Sequence, residues 1–163
     1  MKTMIATVGG VGFLRPAPGT WGSAVGVGLA LGLHWLGGFP LLVIATVAAF
    51  FVGWWATAGY TAKTGDHDPG EVVIDEVAGQ FIALWVVSFG AWHAGLPALA
   101  LYPGWIAGFV LFRIFDITKP SIIGKADRRG DALGVMLDDI WAGVFAAICT
   151  GVLAWISHGV LGL

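Results

Sequence analysis

Three stretches of the chain, 16–62, 77–112 and 140–163, carry no Asp, Glu, Lys or Arg. An α-helix crossing a bilayer needs about 20 apolar residues. The first two stretches therefore have room for two crossings each, and the last for one. Breaks fall at "GGFP" (37–40) and "AWHAGLP" (91–97), where glycine, proline and polar residues interrupt the apolar run. The pattern predicts five helical spans, at about 20–36, 41–62, 77–91, 98–115 and 139–158. The first and third are short, so they tilt little or begin below the interface.

Composition agrees with this all-α reading. Hydrophobic residues make up 58% of the chain and charged residues 11%, with a mean hydropathy of +0.86, against about 25% charged in an ordinary soluble domain. The expectation is one integral-membrane domain over 1–163, a compact multi-span transmembrane helical bundle. A net charge of −2 argues against a nucleic-acid partner, and the lone Cys149 has no partner for an internal disulfide. Lys2 precedes a short apolar stretch, but "TVGGVGFLRPAPG" is broken by glycines and has no small-residue cleavage site, so it does not read as a signal peptide.

With the N-terminus on the cytoplasmic side, all eight basic residues (Lys2, Arg15, Lys63, Arg113, Lys119, Lys125, Arg128 and Arg129) lie on or near that side. This matches the positive-inside tendency. Trp35, Trp92 and Trp155 then fall near the outer boundary, and Trp21 and Trp141 near the inner one. Gly22/Gly26, Gly28/Gly32 and Gly104/Gly108 have the four-residue spacing that lets membrane helices approach closely. A short internal echo, "IDEVAG" (74–79) against "LDDIWAG" (137–143), is too brief to establish a repeat.

The ten acids are confined to 63–76 and 113–139. Asp75 and Glu76 precede the third span, Asp116 closes the fourth, and Asp138 and Asp139 precede the fifth. Charge beside hydrocarbon is costly. If the helices pack, these five carboxylates form one layer that calls for a hard divalent cation; Mg2+ favours one or two carboxylates plus substrate phosphate oxygens. A plainer reading makes the two pairs first-turn residues that favour the helix dipole. It does not serve Asp116, at the unfavourable end of its helix, where an ion pair with Arg113 is the structural alternative. Lys119, fixed ahead of Pro120, and Arg113 bring cations to the same depth, a combination suited to a phosphate ester. The basic loop residues equally attract anionic lipid. In "PAPGTWGS" (16–23), Thr20 reads as a helix N-cap, and a free helix terminus can hold phosphate, although entry into the first span explains the stretch equally well. His67 reads as a solvated loop residue, and His34, His93 and His158 carry no role.

Cys149 is not followed by a C-x5-R phosphate loop. "DHDPG" is not a D-x-D-x-[TV] nucleophile motif, no phosphohistidine segment is present, and the D-G-x2-A-R spacing of CDP-alcohol transferases is absent. Metal-activated water is the simplest remaining route. At "GVGFLRPAPGTWGS" (10–23), "DPGEVVIDEVAGQ" (68–80), "FRIFDITKP" (112–120) and "LGVMLDDIWAG" (133–143) the chain resembles the phosphatidylglycerophosphatase A family. The resemblance implies a bacterial inner-membrane, multi-pass enzyme with its site facing the cytoplasm. Such an enzyme removes the terminal phosphate of phosphatidylglycerophosphate, an anionic phospholipid, and requires Mg2+. The positions carried over are Asp75, Glu76, Asp116, Lys119, Asp138, Asp139 and Thr20. Ser121 and Ile122 stand where the family tends to have Trp-Pro, which bears on the local turn. A small cation transporter would place acids near the midplane of the spans, where none lies, and a non-catalytic scaffold does not need the FDITKP acid and base together.

Overall fold

The computed structural model describes residues 1–157, all helix and connecting loops. A short α1 (Lys2–Ala6) and a 3-10 turn (Val11–Phe13) lead into α2 (Pro18–Thr64). There follow α3 (Ile74–Ala83), α4 (Trp85–His93), a second 3-10 turn (Ala98–Leu101), α5 (Tyr102–Thr118), α6 (Ile122–Asp127) and α7 (Ala132–Trp155). His158, and with it the end of the fifth predicted span, lies outside the described residues.

Long as it is, α2 is not one rod. Gly37 and Gly38 leave helical geometry just ahead of Pro40, with Gly38 at φ 66° and ψ −161°. Glycine reaches such a φ without steric cost, and a Cβ at Gly38 would also overlap the Trp92 indole. The two arms run back past the same partners: Gly22 meets Val73 while Gly53 meets Ile74. Further along, His34 Nδ1 lies 2.8 Å from Ser88 Oγ on one arm, and Trp85 Nε1 donates to Thr46 Oγ1 at 3.1 Å on the other. The "GGFP" break is thus the turn of a helical hairpin.

By length and apolarity, α2, the segment Ala98–Thr118 and α7 each suffice to cross a membrane, and α3 with α4, bent by 44° at Leu84, makes a fourth candidate. With the arms of α2 taken separately, each of the five predicted spans has its helical counterpart. Two boundaries differ from expectation. The third span begins at Ile74 and is broken in its middle, and the fifth begins at Ala132 rather than about 139. The cause of the second is Asp131, whose carboxylate accepts from the Gly134 N–H at 2.7 Å and caps the helix.

The core joins both arms of α2 to α3, α4 and α5 through Ala30, Leu42, Phe81, Leu84 and Trp105, while Phe112, Ile123 and Ala142 tie α5 and α6 to α7. Large apolar side chains such as Ile44, Phe51, Ile106, Ile117 and Ile148 point outward. Surface of this kind on several helices suits lipid rather than water. α3 and α7 cross at close range: a Cβ at Gly79 would overlap the Asp139 carbonyl, and one at Gly143 the Gly79 carbonyl. That approach sets one acidic pair beside the other.

Candidate active site

At the charged end of the bundle the starts of α2, α3 and α7 meet the end of α5 around a cavity of about 290 Å³. Asp75, Glu76, Arg113, Asp116, Lys119, Asp138 and Asp139 all line it, so the five acids and two bases singled out in the sequence share one space. Asp75 and Glu76 occupy the first turn of α3, where the helix dipole favours them. Asp138 and Asp139 do not: they stand in the second turn of α7, beyond a cap already supplied by Asp131. The helix-start explanation therefore fails for this pair, which is nonetheless buried, at 5% and 3% exposure.

The two pairs repeat one local device. Asp75 Oδ1 accepts from the Glu76 N–H, and Asp138 Oδ1 from the Asp139 N–H, each at 3.0 Å. The second carboxylate of each pair is left short of partners: Glu76 Oε2 and Asp139 Oδ1 are buried with no hydrogen-bond donor. An ionised oxygen stripped of water and left unpaired is expensive. Oxygens of Asp75, Glu76 and Asp139 all lie within 4.8 Å of one another, and so do those of Asp116, Asp138 and Asp139. Such oxygen-only sets can hold a hard divalent cation.

The bases are tied to the rim of this cluster. Arg113 donates through one guanidinium nitrogen to Asp116 Oδ2 at 2.5 Å and to Ser23 Oγ at 3.3 Å, and its buried Nε has no acceptor. The expected Arg113–Asp116 ion pair is therefore present, inside the cavity wall rather than as an alternative to it. Lys119 caps α5 in the left-handed region (φ 44°) and donates to Asp138 Oδ2 at 2.7 Å and to Asp127. Burial works against its charge, but the hydrogen bonds it donates to Asp127 and Asp138 outweigh it and hold the Lys119 ammonium above its ordinary pKa.

The N-cap reading of Thr20 is corrected by the structure. Pro18 starts α2 at the position that suits proline, Ala17 occupies the cap without a side-chain bond, and Thr20 lies inside the first turn. The cavity is lined there by Ala17, Pro18 and Gly19, not by Thr20. Gly19 matters for space: a Cβ on it would run into Glu76 Oε1 and sit 3.1 Å from an Arg113 nitrogen. Two further acids were not foreseen. Asp68 lines the mouth of the cavity, and Asp127 pairs with Lys119. Asp68 lies in the quoted "DPGEVVIDE" segment, whereas no spacing rule links Asp127 to Lys119. His67 is exposed in its loop, as expected, but His34 is a core residue, bonded to Ser88 and edge-on to Trp105.

Comparison with known proteins places these features in a family setting. The phosphatidylglycerophosphatase A family matches residues 4–154. A phosphatidylglycerophosphatase A of Haemophilus influenzae is 39% identical over 147 residues, covering 89% of this chain and 83% of that protein. A putative phosphatidylinositol-3-phosphatase of Bacteroides thetaiotaomicron is 35% identical, covering 96% and 95%. The phosphatidylglycerophosphatase A of Escherichia coli is 32% identical, covering 95% and 83%. No solved structure matches.

Proposed function

Since the chain belongs to the phosphatidylglycerophosphatase A family and is thus a phosphatase, we propose that it hydrolyses the terminal phosphomonoester of phosphatidylglycerophosphate, releasing phosphatidylglycerol and inorganic phosphate, with Mg2+ as cofactor. The observation that carries this reading is the convergence of five carboxylates with Arg113 and Lys119 on one cavity at the charged end of an apolar bundle. Bound there, Mg2+ supplies positive charge for the phosphoryl oxygens and lowers the pKa of water. Asp75, Glu76, Asp116, Asp138 and Asp139 are its ligands or the group that orients the attacking water. The unpartnered oxygens of Glu76 and Asp139 and the all-oxygen donor set fit such an ion.

The chain's own bases do the rest. Lys119 and Arg113 bring positive charge to the phosphate, and they offset what builds up as water attacks phosphorus and the P–O bond to glycerol breaks. The helices' outward apolar side chains leave the acyl tails in lipid while the phosphoglycerol head enters the cavity. The basic residues gathered at this end of the bundle support placing it at the cytoplasmic face of a bacterial inner membrane.

The name of the Bacteroides relative favours a second headgroup. Phosphate release from phosphatidylglycerophosphate and from phosphatidylinositol 3-phosphate, measured side by side with purified protein, separates the two. Faster release from the former is expected; faster release from the inositol lipid would transfer the assignment, and release from neither by folded protein would remove it. In the same assay Asp75→Asn is expected to lower the rate by about 10²-fold or more, the scale of losing a positioned acid or base.

A further inference from the structure

We infer that the cavity holds two divalent cations rather than one, with Asp139 as the ligand they share. This rests on the metal-dependent reading above and deepens it. The donor oxygens fall into two groups, Asp75 with Glu76 and Asp116 with Asp138, and Asp139 alone belongs to both. Mg2+–oxygen distances are about 2.1 Å, so donors on one octahedral ion are at most about 4.2 Å apart. Each trio, within 4.8 Å, is near that size. Pairs of catalytic cations sit about 3.5–4 Å apart, a separation that one carboxylate can bridge with its two oxygens.

Charge points the same way. Six carboxylates, counting Asp68, and two bases line the cavity, leaving four formal negative charges once the carboxylates are deprotonated, as metal ligands must be. One divalent cation leaves two of them facing a dianionic phosphate monoester, which is repelled. Two cations balance the wall. Asp139 is also the residue built for sharing: it is 3% exposed, and its Oδ1 has no hydrogen-bond donor. The close approach of its carbonyl to Gly79 pins its backbone against α3, and its side chain lies within reach of Asp75 and Glu76 of α3 and of Asp116 of α5.

The two positions are not equivalent. Among the described residues, neither Asp75 nor Glu76 is in an ion pair, whereas Asp116 pairs with Arg113 and Asp138 with Lys119. A carboxylate oxygen has a second lone pair for a metal, but a neighbouring cation weakens that bond. The Asp75–Glu76–Asp139 position fills first, and the Asp116–Asp138–Asp139 position fills at higher concentration.

Mn2+ titration of the full chain in detergent, followed by calorimetry and by electron paramagnetic resonance, tests this. The expected result is two Mn2+ per chain with unequal affinities and a spin-coupled spectrum at saturation. Asp75→Asn and Asp116→Asn should each retain a single ion with an uncoupled spectrum, and Asp139→Asn should weaken both ions. If Asp139→Asn does not fold, the other two variants still decide the matter. A single Mn2+ per wild-type chain, lost in either variant, would overturn the shared-ligand inference while leaving a one-metal phosphatase. No Mn2+ bound by folded wild-type protein would remove the metal from the functional reading as well.

Discussion

Lys119 shows how a single residue can be both structural and chemical. It closes α5 with a positive φ, reaches Asp127 on one side and Asp138 on the other, and faces the cavity. Lys119→Met removes the charge at nearly constant length. It should cut phosphate release by about 10²–10³-fold, the range seen when one donor to developing charge is lost, and it leaves Asp138 buried without its base. Lys119→Arg should recover little of this loss, because a planar guanidinium cannot reproduce a compact ammonium between two carboxylates. Full activity in Lys119→Met, measured by phosphate release, would remove Lys119 from the site. At this scale the five acids were legible in the sequence because charge beside a long apolar run is conspicuous and costly. Asp127 was not. Its approach depends on the turn at Lys119–Ser121, where both Lys119 and Ser121 have positive φ, a conformation that no residue spacing announces. Thr20 misled because a capping residue two positions past a proline looks like a helix start, whereas the proline itself is the start.

The helices carry their own tests. Asp131 caps α7 by accepting from Gly134 N–H and pairs with Arg129 at 3.0 Å. The Arg129 hydrogen bond, then the Gly134 N–H, holds the Asp131 carboxyl below its ordinary pKa. A depressed folded-state pKa means a contribution fully present above the unfolded value, about 3.9, and lost as pH falls through the folded one. Asp131→Ala should therefore lower thermal stability near neutral pH by about 0.5–2 kcal/mol, most of it from the cap because the Arg129 pair is solvent-exposed. The gap between variant and parent should close in acid; a gap independent of pH would refute the capping account. Gly79→Ala tests the α3–α7 crossing. Its methyl would meet the Asp139 carbonyl and the Phe112 ring, and overpacking of this kind costs about 1–3 kcal/mol. Both melting temperature and phosphate release should fall, since the same crossing sets Asp75/Glu76 beside Asp138/Asp139. The sequence echo between "IDEVAG" and "LDDIWAG" was visible beforehand, but its sense was not: the glycines form the contact and the leading aspartates repeat one hydrogen bond. The early start of α7 was missed because polar residues in 125–131 hid a cap that lies seven residues before the acids.

Across the whole molecule the order of the long apolar segments followed from the apolar runs, since hydrophobic length is what a bilayer selects, whereas the short α1 and α6, both near the charged residues, did not. The "GGFP" break announced the two arms of α2, but the bend at Leu84 came from packing and backbone geometry instead. If the charged end faces the cytoplasm, a cysteine placed at Leu36, which is 73% exposed beside the "GGFP" turn, after replacing Cys149 by serine, should react with a membrane-impermeant thiol reagent only from the opposite side. Labelling from the cytoplasmic side would invert or break the proposed topology. The central claim is chemical: a cation held by the carboxylate layer drives phosphate release from a lipid. The most direct measurement is release of inorganic phosphate from phosphatidylglycerophosphate by the purified chain in detergent, with Mg2+, then with excess EDTA, then with Mg2+ restored. The account predicts release that stops on chelation and returns with the metal. Release unaffected by EDTA would contradict it, and would leave the carboxylates of α3, α5 and α7 without the partner their burial calls for.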